Sequence, residues 1–189
     1  NICINLRFAN MRICVITVPI LTNMSILLKN TTYIDWKTLE FKNTNILVEE
    51  GLNGKIKFID HIEDVKTNQT IDCKGKLVTK SFAVGHHHIY SALARKMGAP
   101  KKIPENFYEI LQYVWWTLDK SLDKETIEAS ALYSAIACAK AGSTFVIDHH
   151  ASPNYIEGSL DIIANAFDKV GVSHLLCYEI TDRDGLDKA

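Results

Sequence analysis

Short stretches in which apolar and polar residues alternate dominate the first part of the chain. Residues 24–80 hold four of them, each bounded by Asn, Gly or Asp: SILLKN, TNILVEEG, GKIKFID and QTIDCKGKLVT. Alternation with a period of two is typical of half-buried β-strands. Residues 49–55 (EEGLNGK) have the composition of a hairpin turn. The pattern therefore predicts a small β module over residues 24–76.

From residue 77 onward, apolar runs alternate with segments of helical periodicity. KLVTKSFAV, STFVID and VSHLLCY are short and apolar, and each predicts a buried strand. The apolar residues of three predicted helices recur at spacings of three and four: Phe107, Ile110, Leu111, Val114, Trp115 and Leu118; Ile127, Ala131, Ala135 and Cys138; Leu160, Ile163, Phe167 and Val170.

Capping residues indicate where these helices begin and end. Pro104 suits the opening turn of the first helix. Asp123 is the expected N-cap of the second, and Glu125 follows in its first turn, where the helix dipole favours a negative charge. Gly142 and Gly171 suit the ends of the second and third helices.

A strand–helix–strand–helix–strand order indicates parallel βα units, which build either a doubly wound sheet or a (β/α)8 barrel. A complete barrel takes roughly 250 residues, whereas only ~110 follow the first predicted strand, enough for about three units. If the fold is a barrel, residues 77–189 are its first three units.

Residues 1–23 are predicted to be a non-native or an upstream extension. The apolar run ICVITVPIL has Arg7 and Arg12 ahead of it, as a signal peptide would, but no small-residue cleavage site follows. The run is also too short to span a bilayer. We therefore predict a protein without a membrane segment, located in the cytoplasm.

Charge and cysteine content exclude further classes. With 21 Lys and Arg against 22 Asp and Glu, the formal net charge is -1, and no basic run with interleaved aromatic residues predicts a nucleic-acid surface. The five cysteines are scattered and never form a CxxC pair, so they predict reduced thiols and neither a disulfide framework nor a zinc knuckle.

Three consecutive histidines end the first predicted barrel strand. Alternate residues of a strand point to the same face, so His86 and His88 are expected together, with His87 opposite. Two neutral imidazoles at the carboxyl end of a parallel strand make half of a metal site. The alternative is a surface cluster of histidines that binds nothing.

Polar residues also follow the other two predicted strands. Asp148, His149 and His150 end the second strand, and Glu179 ends the third. Polar residues at the ends of several neighbouring strands are better explained by one shared site than by chance at each strand. One of His149 and His150 would face that site and the other would pack outside. Residues 182–184 are interpreted as a solvated turn.

The segment KLVTKSFAVGHHHIYSALAR resembles the part of the amidohydrolase superfamily in which the first barrel strand carries an HxH metal pair. YVWWTLDKSLD, STFVIDHHASP and CYEITDRDG, in this order, look like the SsnA branch of that superfamily, aminohydrolases related to chlorohydrolases and to guanine and cytosine deaminases. The resemblance covers residues 24–189. The chain departs from it at Lys80-Ser81, where the family often has Pro-Gly.

The resemblance implies a β-sandwich module followed along the chain by a TIM barrel that binds a divalent metal. Zinc is the metal expected, and iron is the alternative. It makes His86 and His88 metal ligands, and the other ligands would come from the fifth, sixth and eighth strands. His149, His150 and Glu179 become candidate catalytic residues. Tyr90, Ser91 and Arg95 become candidates for the mouth of the substrate pocket, although Arg95 could instead pair with a carboxylate.

The implied reaction is hydrolysis at a carbon–nitrogen bond or a chlorinated carbon. Hydroxide generated at the metal would attack an sp2 carbon of a small substrate, expected to be a nitrogen heterocycle. These residues alone should be inactive, because the general acid–base group is expected from later strands. The sequence leaves a homo-oligomer open.

Two other functions remain as alternatives. A barrel that binds metal or assembles into oligomers without catalysis would have lost the remaining ligands. A metal-independent enzyme on a doubly wound sheet is disfavoured, because no glycine-rich phosphate loop follows any predicted strand.

Overall fold

The computed structural model describes residues 3–8, 11–16, 24–51 and 54–186 of the chain. The chain divides into two compact units, Asn1–Ser81 and Phe82–Ala189. The predicted hairpin turn at 49–55 has its tip, residues 52–53, outside the described residues. Within the described residues, no helix is both long and apolar enough to cross a membrane.

The described residues of the first unit form a mixed seven-stranded sheet. Antiparallel pairing joins β3 (Ile26–Ile34) to β4 (Phe41–Val48) and β4 to β5 (Ile56–Ile59), as the alternating pattern predicts. The last two strands run parallel to β3 and pair with successive parts of it. The strands are β1 (Cys3–Phe8), β2 (Met11–Ile16), β3 (Ile26–Ile34), β4 (Phe41–Val48), β5 (Ile56–Ile59), β6 (Gln69–Asp72) and β7 (Leu77–Val78).

The core of this unit comes from alternate residues of its central strands. Ile26 and Leu28 of β3, Ile46 of β4 and Cys73 beyond β6 are buried together. These positions lie on one face of the sheet because side chains two residues apart in a strand share a face. The binary pattern of the sequence therefore specifies the core of this unit.

One predicted strand is divided in the structure. KLVTKSFAV is not one strand, since β7 pairs with β3 in the first unit and a separate strand begins at Phe82 in the second. The two compact units meet after Ser81, and the domain boundary at residue 76 stays a prediction. In addition, β1 and β2 lie in the segment that the sequence set apart, and β2 joins the sheet at β7.

The second unit is a three-stranded parallel sheet covered by helices. Its strands are β8 (Phe82–His87), β9 (Ser143–His150) and β10 (Ser173–Tyr178), with β9 in the centre. A 3-10 helix (Ile89–Lys96) follows β8, α3 (Lys124–Lys140) precedes β9, and α4 (Ser159–Val170) connects β9 to β10. This order confirms a mixed α/β architecture.

The caps of α3 and α4 follow their predicted chemistry. Asp123 and Thr126 form a reciprocal capping box, in which each side chain accepts a hydrogen bond from the other's backbone N–H. Gly142 and Gly171 have φ angles of 81° and 82°, the left-handed conformation that favours glycine after a helix.

The buried faces of α3 and α4 also follow the predicted spacing, since α3 buries Ile127, Ala131, Ala135 and Cys138, and α4 buries Ile163 and Phe167. These two faces pack against each other and against the sheet, so the helices cover one face of β9. Val146, Asp148 and His150 are buried on that face.

The first predicted helix is interrupted. It consists of α1 (Phe107–Ile110), a π-helical turn (Leu111–Trp115) and α2 (Trp116–Asp119). A π turn inserts an extra residue into the helical repeat, so it breaks the spacing of the predicted apolar face. Leu118 is buried as expected, whereas Phe107 is exposed. The continuous apolar face predicted for this segment is therefore wrong.

Candidate metal centre

The side chains of His86 and His88 converge where β8 ends. Their Nε2 atoms lie 3.1 Å apart, and their ring centroids lie 4.8 Å apart. His87 points to the other face of the strand, where its Nδ1 lies 3.9 Å from Asp148 Oδ1. The structure thus brings together the pair that the alternation of a strand predicts.

The orientation of the His88 ring directs the Nε2 lone pair toward the point that it shares with His86 Nε2. His88 Nδ1 lies 2.9 Å from the backbone oxygen of His149. A carbonyl oxygen only accepts hydrogen bonds, so Nδ1 carries the proton and Nε2 keeps its lone pair. Such a bond on the far ring nitrogen is the usual way in which a metal-binding histidine is oriented.

The spacing of the two nitrogens fits a divalent metal. With zinc–nitrogen bonds of about 2.0–2.1 Å, nitrogens 3.1 Å apart subtend roughly 100° at the metal, close to tetrahedral geometry. Among the described residues, no group of three or more His, Cys, Asp or Glu could hold a metal ion. The described residues therefore offer two nitrogen donors at this point, fewer than the four ligands of a typical zinc site.

His149 is the histidine of β9 that lies beside this pair. Its ring centroid is 5.5 Å from that of His88, and β10 places Cys177 next to it in register. His149 Nδ1 is buried and has no hydrogen-bond partner among the described residues. The His149 ring thus lies next to the His86–His88 pair with one nitrogen unpartnered among the described residues.

His150 lies on the opposite face of β9 and belongs to a buried structural cluster. Its ring packs against Tyr90 and Tyr178, at centroid distances of 5.7 and 5.9 Å. Its Nε2 lies 3.0 Å from Ser152 Oγ, which donates its own proton to the backbone oxygen of Tyr155.

Ser152 Oγ can therefore only accept from His150, so Nε2 carries the proton of a neutral ring. Burial, with a smaller contribution from His149, lowers the pKa of His150 to about 4. The structure does not bring His150 to the His86–His88 pair, because adjacent strand residues face opposite ways.

Asp148 is fully buried between the sheet and its helices. Its Oδ1 accepts a hydrogen bond of 2.7 Å from the backbone N–H of Ile89. Oδ2 has no partner among the described residues. Burial raises the pKa of Asp148 to about 7, and the Ile89 bond opposes this shift only in part.

Glu179, at the end of β10, belongs to a cluster of ion pairs around Arg183. Its Oε1 lies 3.0 Å from Nε of Arg183, whose guanidinium also reaches Asp119 Oδ2 at 2.6 Å and Asp184 Oδ2 at 3.6 Å. The side chains of Arg183 and Asp184 are only 11% and 13% exposed. The prediction of a solvated turn at 182–184 is therefore wrong for these two residues.

Further contacts complete this ion cluster. Lys120 Nζ lies 2.7 Å from Asp184 Oδ1, and the Arg183 guanidinium lies 5.0 Å from the ring centroid of Trp116. Burial raises the pKa of Asp119, against the hydrogen bond that Arg183 donates. The sequence did not identify Asp119, because nothing in TLDK distinguishes it from a surface carboxylate. The four-residue spacing of Glu179 and Arg183, by contrast, could have indicated that these two residues pair.

The three residues expected at the pocket mouth make structural contacts. Tyr90 is buried, and its ring lies 6.0 Å from His88 and 5.7 Å from His150. The backbone N–H of Ser91 donates to the His88 oxygen at 2.9 Å. Arg95 hydrogen-bonds the Tyr133 hydroxyl and lies over that ring, and no carboxylate among the described residues pairs with it.

No family model matches the chain. Curated relatives nevertheless cover most of it. The 5-methylthioadenosine/S-adenosylhomocysteine deaminase of Thermococcus sibiricus is 26% identical over 159 residues, which is 84% of this chain and 34% of the relative. The enzyme of the same name from Aquifex aeolicus is 29% identical over 76% of this chain and 33% of its own length.

Solved structures show the same fold at lower identity. Triazine hydrolase from Arthobacter aurescens matches with a TM-score of 0.64 and 19% identity, over 82% of this chain and 35% of its own. Guanine deaminase from C. acetobutylicum matches with a TM-score of 0.64 and 18% identity, over 80% and 35%. Deaminases and a triazine hydrolase are what the predicted resemblance to the amidohydrolase superfamily leads us to expect, and the resemblance is confirmed at that level. The assignment to the SsnA branch stays a prediction. The chain spans about a third of the length of these relatives.

Proposed function

We propose that the protein containing this chain is a metal-dependent hydrolase of the amidohydrolase superfamily, acting on carbon–nitrogen bonds or chlorinated carbons of nitrogen heterocycles. The observation that carries this proposal is the convergence of His86 Nε2 and His88 Nε2 at the end of a parallel strand. The functions of the relatives, deamination and triazine hydrolysis, support the reaction class.

In this proposal, Phe82–Ala189 is the first part of a (β/α)8 barrel, and the first unit is the β-sandwich module that precedes it. The resident metal is a divalent cation, with zinc first and iron second; a related atrazine chlorohydrolase structure is described as complexed with zinc. A homo-oligomer and a cytoplasmic location stay predictions from the sequence.

The residues have distinct roles in this proposal. His86 and His88 hold the cation, which, when bound, lowers the pKa of a water to about 7 and so supplies a nucleophile at neutral pH. His149, with its unpartnered Nδ1, orients the heterocycle beside the pair. His150 supports the fold behind β9. Glu179 is held by Arg183, so it orders the end of β10 instead of reacting.

The test is hydrolysis by the protein that contains this chain, purified with zinc. Ammonia release is measured with 5-methylthioadenosine and guanine, and chloride release with a chlorinated triazine. We expect release from at least one substrate, and none after the double substitution His86→Ala, His88→Ala.

The matched control is His87→Ala, because His87 lies between the two ligands in sequence but on the other face. It should remain active. Absence of release from all three substrates, or full activity of the double variant, would overturn the proposal.

A further inference from the structure

We propose that Asp148 is a positioning residue that anchors the chain directly after His88 and so sets the direction of the His88 ring. The inference rests on the proposed function, in which His88 binds a metal. Its own evidence is a hydrogen bond between two strands, from the N–H of Ile89 to Asp148 Oδ1, at 2.7 Å.

An anchor is needed here because the regular ladder does not hold this part of β8. The pairing of β8 with β9 shifts register between Val84 and His87, and His87 with Asp148 is its last pair. Irregular pairing of this kind re-aims side chains at the ends of strands. His88 is already outside the strand, with φ of -125° and ψ of 91°, and a 3-10 helix begins at Ile89.

Two consecutive residues of β9 therefore hold His88 from two sides. The backbone oxygen of His149 accepts from the ring at Nδ1, and the carboxylate of Asp148 accepts from the next backbone N–H. Both the ring and the main chain of His88 are thus fixed to the same strand. The 3.1 Å separation of the two Nε2 atoms depends on both holds.

Packing alone does not explain a carboxyl group at this position. Asp148 is fully buried, and a buried polar group costs free energy unless it is hydrogen-bonded. A leucine of similar size would fill the space without that cost. What leucine lacks is the acceptor for Ile89, so the acceptor is the property that the position uses.

The first test compares Asp148→Leu with Asp148→Asn in the protein that contains this chain, by calorimetric titration with Zn²⁺. Asn keeps the Oδ1 acceptor, whereas Leu keeps only the size. Loss of an outer partner of a metal ligand typically weakens metal binding about 10–100-fold. We expect that loss in the Leu variant, and affinity within about threefold of the parent in the Asn variant.

The second test removes the donor and leaves Asp148 in place. Ile89→Pro deletes the N–H at the first residue of the helix, where proline is favoured, and the extended His88 before it suits proline. Ile89→Val keeps the N–H and controls for lost packing. The Pro variant should bind Zn²⁺ as weakly as Asp148→Leu, and the Val variant should bind like the parent.

Hydrogen exchange of the Ile89 amide in the metal-free parent gives a readout that needs neither variant nor metal. Protection is expected, and exchange at the unprotected rate would overturn the anchor. Equal Zn²⁺ affinity of the parent, Asp148→Leu and Ile89→Pro would also overturn it and leave the proposed function intact. A parent that does not bind Zn²⁺, or binds it unchanged after His86→Ala, His88→Ala, would instead refute the proposed function.

Discussion

Replacement of Arg183 by Met should destabilise the second unit by about 3 kcal/mol near neutral pH. The guanidinium is the common partner of three carboxylates, and the closest, Asp119, is 1% exposed. Removing one partner of a buried ion pair typically costs about 3–5 kcal/mol, because the other charge stays buried without compensation. The lower end applies here, since Glu179 is partly exposed and can turn to water.

Methionine retains the packing of the aliphatic stem on Trp116, so the measured loss reports mainly the charge. The assay is urea unfolding followed by tryptophan fluorescence, with the free energy of unfolding extrapolated to water. Adding Asp119→Leu to the Met variant should restore most of the loss, because it removes the orphaned carboxylate.

Lys169→Met is the matched control. The Lys169–Glu128 pair has a comparable distance, 2.9 Å, but its side chains are 59% and 42% exposed. Water and salt screen such a pair, so no measurable change is expected. A loss below about 1 kcal/mol for Arg183→Met, or an equal loss for Lys169→Met, would refute the assignment of a buried ion cluster.

Two further predictions concern pH, and one concerns the core. Burial lowers the pKa of His150 to about 4, against 6.5 in the unfolded chain, so its stabilisation is complete above pH 6.5 and is lost toward pH 4. In urea unfolding, the excess free energy of unfolding of the parent over His150→Gln should therefore grow by ~2–3 kcal/mol as the pH rises across that range. Burial raises the pKa of Asp148 to about 7, against 3.8 in the unfolded chain, so its effect on stability changes with pH in the opposite direction. The excess free energy of unfolding of the parent over Asp148→Asn should shrink as the pH rises from 4 to 7. An excess that grows over this range would contradict the burial of Asp148. Phe167→Ala should cost about 3–5 kcal/mol because the ring is fully buried, whereas exposed Ile180→Ala should leave the urea midpoint unchanged.

Local chemistry made much of the second unit predictable. Asp123 and Gly142 bound α3 because N-cap carboxylates and left-handed glycines satisfy helix ends without help from the rest of the fold. The three-to-four spacing identified Ile163 and Phe167 as core residues because α4 has one apolar side. Such features depend on a few neighbouring residues, so the sequence alone contains them.

Features that depend on distant residues were not predictable. The buried face of the first helix could not be predicted across the π turn at 111–115, because the three-to-four spacing assumes an uninterrupted α-helix. Alternation showed that His149 and His150 face opposite ways, but both faces of β9 carry polar residues, so their direction followed only from the packing of β9. The burial of Asp119 depends on Arg183, which is far along the chain.

Metal content tests the central claim most directly. The protein that contains this chain, its His86→Ala, His88→Ala variant and its His87→Ala variant would be purified with zinc, dialysed, and measured for bound metal by mass spectrometry. We predict bound divalent metal in the parent and in the His87 variant, and none in the double variant, because His86 and His88 direct their Nε2 atoms to a common point. Metal retained by the double variant, or absent from the parent, would contradict it.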